Sequence, residues 1–279
     1  MMENELIQIV VLAVIQGIAE FLPISSSGHL AVLGALLGID PEENLTWGIL
    51  LHAGSLVAIC VFYYRLLLGF FRRDQFHLAL MVILGTLPAG AVGVSLKLSG
   101  LADSIFNFPL LVGLCLLITA TILRMTEKEK LIVKNSPDAP LTPLKEISVR
   151  QALIVGFAQA FAVLPGISRS GSTIAAGILC GIDREAAGNF SFLLALPAIG
   201  GAVLIELLQC IRSAGDKAAA QSSEWGMLAI GFAVSCIVSF AALSLLMKLI
   251  RKGKLIWFSW YLYIVGIAVI IWQISKMRV

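Results

Sequence analysis

Gln16-Gly-Ile-Ala-Glu20-Phe-Leu-Pro23-Ile-Ser25-Ser26-Ser27-Gly28-His29 and, 143 residues further on, Gln159-Ala-Phe-Ala162-Val-Leu-Pro165-Gly166-Ile-Ser168-Arg169-Ser170-Gly171 read as two copies of one broken helix. Each sits inside an apolar stretch, at 5–39 and 149–181, and each is interrupted by a proline, which has no N–H to give a helix, and by serines and a glycine that favour helix ends. Sliding 13–40 onto 156–183 without a gap gives 11 identities in 28 positions. Unrelated segments of ordinary composition would share about two or three. Gln16/Gln159, Ala19/Ala162, Ile24/Ile167, Ser25/Ser168, Ser27/Ser170, Gly28/Gly171, Gly34/Gly177, Leu36/Leu179 and Gly38-Ile39-Asp40/Gly181-Ile182-Asp183 carry the match. The chain is therefore built from two related halves.

Outward from these breaks the composition selects the solvent. Of 279 residues, 59% are hydrophobic and only 13% charged, with a mean hydropathy of +0.96, so the bilayer surrounds most of the chain. Glu3 and Glu5 stand where a signal peptide would be basic, and no small-residue cleavage site follows, so the first segment is expected to stay. Cys60, Cys115, Cys180, Cys210 and Cys236 are scattered without CxxC or Cys/His spacing, which argues against disulfides and zinc. A net charge of +3 gives no reason to expect nucleic acid.

Apolar runs near 47–64, 78–98, 108–124, 189–211, 225–247 and 255–275 are long enough to cross a hydrocarbon core of about 30 Å. The halves of the two interrupted stretches, each roughly 12–16 residues, are short for a crossing. The spacing therefore predicts an all-α polytopic membrane protein of six transmembrane helices plus two re-entrant helical hairpins. Loop charges orient it, because short cytoplasmic loops carry the excess of Lys and Arg. Arg65, Arg72 and Arg73, then Lys128, Lys130, Lys134 and Lys145, then Lys248, Arg251, Lys252 and Lys254 mark inside loops, whereas 40–46 and 99–107 contain neither type. The tail, with Lys276 and Arg278, falls outside against that rule. The two hairpins then enter from opposite sides, which makes the repeat inverted: a first half over 1–124, a cytoplasmic loop over 125–148 and a second half over 149–279. Such layouts bring two broken helices together near the midplane.

The chemistry-bearing residues cluster at the breaks. Gln16 and Glu20, at i and i+4, share a helix face, and a carboxylate inside an apolar run is costly enough to imply use. Ser25, Ser26, Ser27 and His29 add hydroxyls and an imidazole, a set that permits nucleophilic or acid–base chemistry, although each serine could equally cap the next half-helix. In the second break Gly166 loosens the backbone, and Ser168, Ser170 and Thr173 present hydroxyls beside a half-helix N-terminus. Arg169 among them fits an oxyanion with two parallel hydrogen bonds; alternatively it pairs with Glu20 to neutralise it. His52 could line the site, His77 reads as solvated, and Trp257, Trp260, Tyr261 and Tyr263 read as an interfacial aromatic belt.

Gln16 to His29, paired with Leu164-Pro-Gly-Ile-Ser-Arg-Ser-Gly-Ser-Thr173, resembles the two signature motifs of the undecaprenyl-diphosphatase (bacitracin-resistance protein) family over nearly the whole chain. The resemblance implies hydrolysis of undecaprenyl diphosphate to undecaprenyl phosphate and inorganic phosphate, which recycles the lipid carrier of cell-wall synthesis. It also implies a divalent cation, Mg²⁺ or Ca²⁺, and a site in the bacterial cytoplasmic membrane opening toward the outer leaflet. By residue, Ser26 matches a proposed nucleophile, Glu20, His29 and Arg169 are catalytic, Ser25, Ser27, Gly166, Ser168, Arg169, Ser170 and Thr173 hold phosphate, and Glu20 with Gln16 hold the metal. Many members carry Glu at the position of Gln16 and an acid at that of Gly48, so the metal site here has fewer carboxylates. The partners expected are the polyprenyl diphosphate lipid and the bilayer, with a homodimer left open. A polyprenyl-phosphate transporter or flippase is the rival reading, since inverted repeats with broken helices are frequent in transporters.

Overall fold

The computed structural model of the chain describes residues 2–37, 41–70, 75–100, 109–127, 141–213 and 222–277. Arg72, Arg73, Lys128, Lys130, Lys134, Arg278, the 101–107 part of one expected outside loop and the Gly38-Ile39-Asp40 end of the first repeat copy lie outside these residues. Within them the chain forms eleven α-helices: α1 Met2–Phe21, α2 Ser26–Leu37, α3 Pro41–Phe62, α4 Tyr64–Gly69, α5 Phe76–Leu98, α6 Pro109–Met125, α7 Val149–Phe161, α8 Arg169–Leu179, α9 Arg184–Ser213, α10 Ser222–Arg251 and α11 Ile256–Met277. No strand is present among the described residues; a lone parallel bridge joins Thr142 to Ile182.

The six expected apolar runs are helical over nearly all of their described residues, with a turn at Tyr63, and the breaks fall where proline and serine place them. Four helices, over Phe76–Leu98, Arg184–Ile205, Gly226–Arg251 and Ile256–Lys276, are long and apolar enough to cross a membrane. The apolar parts of α3 and α6 are shorter. Three boundaries differ from the reading of the sequence. Residues 41–46, expected in an outside loop, belong to α3, because Pro41 stands at a first helical position, where its missing N–H costs nothing. The arms of the broken stretches are unequal: α1 has 20 residues, whereas α2, α7 and α8 have 12, 13 and 11. The start of α9, at Arg184, comes earlier than its apolar run, because Asp183 accepts the N–H groups of Glu185 (2.9 Å) and Ala186 (3.1 Å).

The molecule is apolar outside and partly polar within, as a bilayer-embedded protein must be. Ile7, Ile83, Ile237, Ile264 and Ile271 are exposed, while Ser55, Ser235 and Ser239 are wholly buried between α3 and α10. There Ser55 Oγ lies 2.9 Å from Ser239 Oγ, and Ser235 donates to the Leu51 carbonyl at 2.6 Å. Lipid tails are as apolar as leucine, so close packing and bonds of this kind hold such helices together. The main core gathers on α9, where Phe190, Phe192, Leu193 and Leu194 are fully buried, and takes in residues of α3, α5, α8 and α10. A second core lies between α6 and α11 and receives Ala19 and Ile24 from the first break.

His77 is exposed, as expected, and its Nε2 also faces the Ile147 carbonyl at 2.9 Å, which ties α5 to the segment before α7. Above that tie α5 and α7 approach so closely that a Cβ on Gly156 would lie 2.5 Å from the Gly85 carbonyl oxygen. Gly156→Ala is therefore expected to lower the midpoint of thermal unfolding in detergent micelles, at a cost of about 1–3 kcal/mol. Gly93→Ala, whose Cβ meets open space, is expected to leave that midpoint unchanged or raise it.

Candidate functional site

The two breaks turn by different means. In the first, Leu22 N–H still bonds Ile18 O at 3.1 Å, Pro23 stops the helix, and Ser25 takes a left-handed φ of 70° before α2 starts. A non-glycine residue rarely adopts that conformation without reward. In the second, Gly166 supplies the positive φ, at 91°, and Ser168 keeps an extended φ of −73°. The outcome is the same at the next residue. Ser25 Oγ accepts the Gly28 N–H at 3.3 Å and Ser168 Oγ accepts the Gly171 N–H at 3.1 Å, so these repeat partners both cap their half-helices.

The breaks also touch. A Cβ on Gly28 would lie 3.3 Å from Gly166 Cα, one on Gly171 would lie 3.2 Å from Pro23 Cβ, and Ser170 Oγ reaches the Leu22 carbonyl at 3.4 Å. Side chains longer than hydrogen at Gly28 and Gly171 would push the two turns apart.

Capping places Ser26 and Arg169, equivalent under the 143-residue shift, at the first helical position after each break. Both converge on one carboxylate. Ser26 Oγ–H donates to Glu20 Oε2 at 2.7 Å, Arg169 Nη2 donates to Glu20 Oε1 at 2.9 Å, and Gln16 Nε2 adds a bond to Oε2 at 3.1 Å. Glu20 and Arg169 are largely buried, with side-chain exposures of 7% and 15%. The described residues use two of the guanidinium's five N–H groups, the second being that to Ser191 O at 3.4 Å. The Arg169–Glu20 pairing foreseen as the alternative is thus present, and the guanidinium still has donors to offer an oxyanion.

The remaining expected residues divide into those facing this pair and those supporting it. Ser27 lies 3.4 Å from Ser25 Oγ, and Ser170 3.2 Å from Ser168 Oγ, along the mouths of the half-helices. The Thr173 hydroxyl is fully buried and donates to Arg169 O at 2.8 Å, so Ser191 Oγ–H, at 2.6 Å, must donate to it. Thr173 therefore braces the backbone of Arg169. His29 makes no bond to Glu20 or Arg169; its ring reaches α11 instead, where Nε2 meets Tyr261 Oη at 2.7 Å.

Three neighbours escaped the sequence reading or were undervalued by it. Thr119, one hydroxyl in the apolar run of α6, accepts the Ser168 N–H at 3.1 Å and lies 3.3 Å from Gly166 O, which satisfies the backbone freed by the second break. Ser191 holds Arg169 as described. His52 Nε2 stands 3.7 Å from Glu20 Oε2, with Nδ1–H donated to Gly48 O at 2.7 Å. A polar residue inside an apolar run was the available signal for each. Tyr261 and Tyr263, expected in an aromatic belt, are hydrogen-bonded to His29 and Thr121. Trp257 and Trp260 do stay exposed, under Lys254 at 4.5 Å and Arg124 at 4.9 Å.

The family profile described as Bacitracin resistance protein BacA matches residues 9–268. Among curated relatives, proteins named undecaprenyl-diphosphatase from Methanosphaera stadtmanae and Rhodopirellula baltica are each 40% identical to the chain, over 96% of its length and 98% of their own. One of the same name from Halothermothrix orenii is 36% identical, with the same coverage.

The buried ion pair makes a test of the site's geometry. Removing one partner strands the other, at a cost of about 3–5 kcal/mol, whereas removing both leaves no uncompensated charge. Arg169→Met is expected to lower the unfolding midpoint in detergent sharply, and Arg169→Met/Glu20→Gln to regain part of the loss. Additive losses would show that the two side chains are not coupled.

Proposed function

The chain belongs to the bacitracin resistance protein family, and on that footing we propose that it is an undecaprenyl-diphosphatase, hydrolysing undecaprenyl diphosphate to undecaprenyl phosphate and inorganic phosphate. Its reaction regenerates the lipid carrier of cell-wall synthesis, the step through which this family is tied to bacitracin resistance. The observation that carries the mechanism is the Glu20 carboxylate held between Ser26 Oγ–H at 2.7 Å and Arg169 Nη2 at 2.9 Å. Hydroxyl, base and anion-binding cation stand together before any substrate arrives.

In this mechanism the terminal phosphate of the lipid draws Arg169 toward itself by bidentate hydrogen bonds. N–H groups at the starts of α2 and α8, with their positive dipole ends, and the hydroxyls of Ser27 and Ser170 bind further oxygens. Losing part of its pairing to Arg169 frees Glu20 to take the Ser26 proton. Ser26 Oγ then attacks the terminal phosphorus as the bond to the bridging oxygen breaks, and undecaprenyl phosphate leaves. Water attacks the phosphorus of the resulting phosphoserine, the proton held by Glu20 passes to the departing Ser26 oxygen, and both hydrogens of the water leave with the phosphate as H2PO4⁻. Stabilising the charge on the transferred phosphoryl supplies most of the acceleration. His29 handles a proton at the edge of the site.

A divalent cation, Mg²⁺ or Ca²⁺, fits the residues present. Gln16 Oε1 is a buried oxygen without a hydrogen-bond partner, and Gln16 is itself bonded to Glu20. Among the described residues no three His, Cys, Asp or Glu side chains gather into a cage. Glu20 and Gln16 would hold the ion together with oxygens of the diphosphate, a common arrangement for Mg²⁺. When bound, it would neutralise charge on the phosphates.

We propose in the same terms that the chain crosses the bacterial cytoplasmic membrane six times and dips into it twice. The inverted halves are 1–124 and 149–279, the site faces the outer leaflet, and two copies associate as a homodimer. Supporting the inversion, α1 of the first half packs along α10 of the second, and α7 of the second packs along α5 of the first. These are equivalent pairs under an axis that exchanges the halves.

Purified protein in detergent is expected to release phosphate from undecaprenyl diphosphate. Arg169→Ala, Glu20→Gln and Ser26→Ala are each expected to cut that rate by about 10²-fold or more, and chelation of divalent cations to suppress it. No release by wild type, or undiminished release by the Arg169 and Glu20 variants, would overturn the reading. Lipid movement across vesicles without hydrolysis would favour a flippase.

A further inference from the structure

His29 is held at both ring nitrogens, and the second holder lies far away in sequence. Its Nδ1 is 2.8 Å from the carbonyl oxygen of Ser25, which also accepts the His29 backbone N–H at 3.2 Å. A carbonyl only accepts, so Nδ1 carries a proton in every protonation state of the ring. Nε2 is left as the one ring atom that can gain or lose a proton, and it faces Tyr261 Oη on α11 at 2.7 Å. The two rings are nearly parallel, 11° apart with centroids 5.7 Å from each other.

We propose that Tyr261 is a positioning residue of the hydrolytic reaction, holding His29 with Nε2 as its exchanging atom and carrying protons between that atom and the site's surroundings. The inference rests on the reading of the chain as a diphosphatase in which His29 moves a proton. A phenol suits both states of the ring. Toward neutral His29 it donates O–H to the Nε2 lone pair, and toward imidazolium it accepts N–H on its own oxygen. A proton arriving on the Tyr261 oxygen can therefore pass to Nε2 as the phenol proton shifts, with no bond made or broken except O–H and N–H. Tyr261 is 41% exposed, and the contact of its oxygen with Nε2 lies toward the surface of the protein. The left-handed φ of Ser25, 70°, is part of the same device, since it aims the Ser25 carbonyl that fixes Nδ1.

Tyr261→Phe removes one oxygen and keeps the ring. In purified protein that releases phosphate from undecaprenyl diphosphate, this variant is expected to lose about 10- to 100-fold in kcat with KM within about twofold. Added to His29→Ala it is expected to cause little further loss, because the two residues act through one atom. In the ¹⁵N spectrum of ring-labelled protein, Nε2 of His29 is expected to lose the shift typical of a hydrogen-bonded nitrogen, while Nδ1 stays protonated. Wild-type hydrolysis together with unchanged kcat in Tyr261→Phe, or with losses that multiply independently in the double variant, would overturn the proposal and leave the diphosphatase reading standing. Absence of hydrolysis by wild type would overturn that reading instead, and this proposal with it.

Discussion

The structure depends on one buried ion pair made across its two halves. Glu20 ends the first arm of one broken stretch, and Arg169 begins the second arm of the other. A carboxylate and a guanidinium taken from water lose several kcal/mol of hydration each, and only good geometry with further hydrogen bonds offsets that loss. Both conditions are met. Ser26 and Gln16 complete the carboxylate, while Ser191 accepts from the guanidinium. The pair cannot form unless the two turns touch, and they are close enough that a Cβ at Gly28 or Gly171 would make tight contacts of 3.2–3.3 Å with the neighbouring atoms.

The repeat carries the frame, and the differences within it carry the charges. Under the 143-residue shift the capping serines, the glycines and the entering glutamines coincide, whereas Glu20 corresponds to Val163, Ser26 to Arg169 and His29 to Ser172. Two symmetric turns presenting the same residue would meet as like charges or as two neutral hydroxyls. Here a carboxylate and a hydroxyl on one side are opposed by a cation on the other. Even the turns differ, one spending an unusual φ on Ser25 and the other using Gly166.

Around this pair stands a layer of hydroxyls that serves the irregular backbone of the two breaks. Each buried amide freed by Pro23, Pro165 and the turns needs a hydrogen-bond partner. Thr119 supplies one from α6, Ser168 and Ser25 supply others, and Ser191 with Thr173 holds the first turn of α8 in place. The placement of Arg169 and Ser26 is inherited from these bonds, because both occupy the first helical positions that the caps define.

The sequence by itself determined the helices, the two breaks and the opposed character of their tips. Hydropathy, proline, serine capping and i, i+4 spacing are local, and a local signal survives without knowledge of the fold. It also marked Glu20 and Arg169, since a charge in an apolar run is conspicuous wherever it ends up. Only the tertiary structure decided which groups meet. That Ser26 and Arg169 share one carboxylate, that Thr173 is spent on bracing, that His52 approaches Glu20, and that His29 turns to Tyr261 rather than to Glu20 all follow from packing between separate elements, with partners up to 232 residues apart. Tyr261 looked like one of a row of interfacial aromatics, because nothing near it in the chain distinguishes a phenol facing headgroups from one facing an imidazole. The distinction lies in which helix stands opposite, and that is set by the close fit of α11 against α6 and the first break.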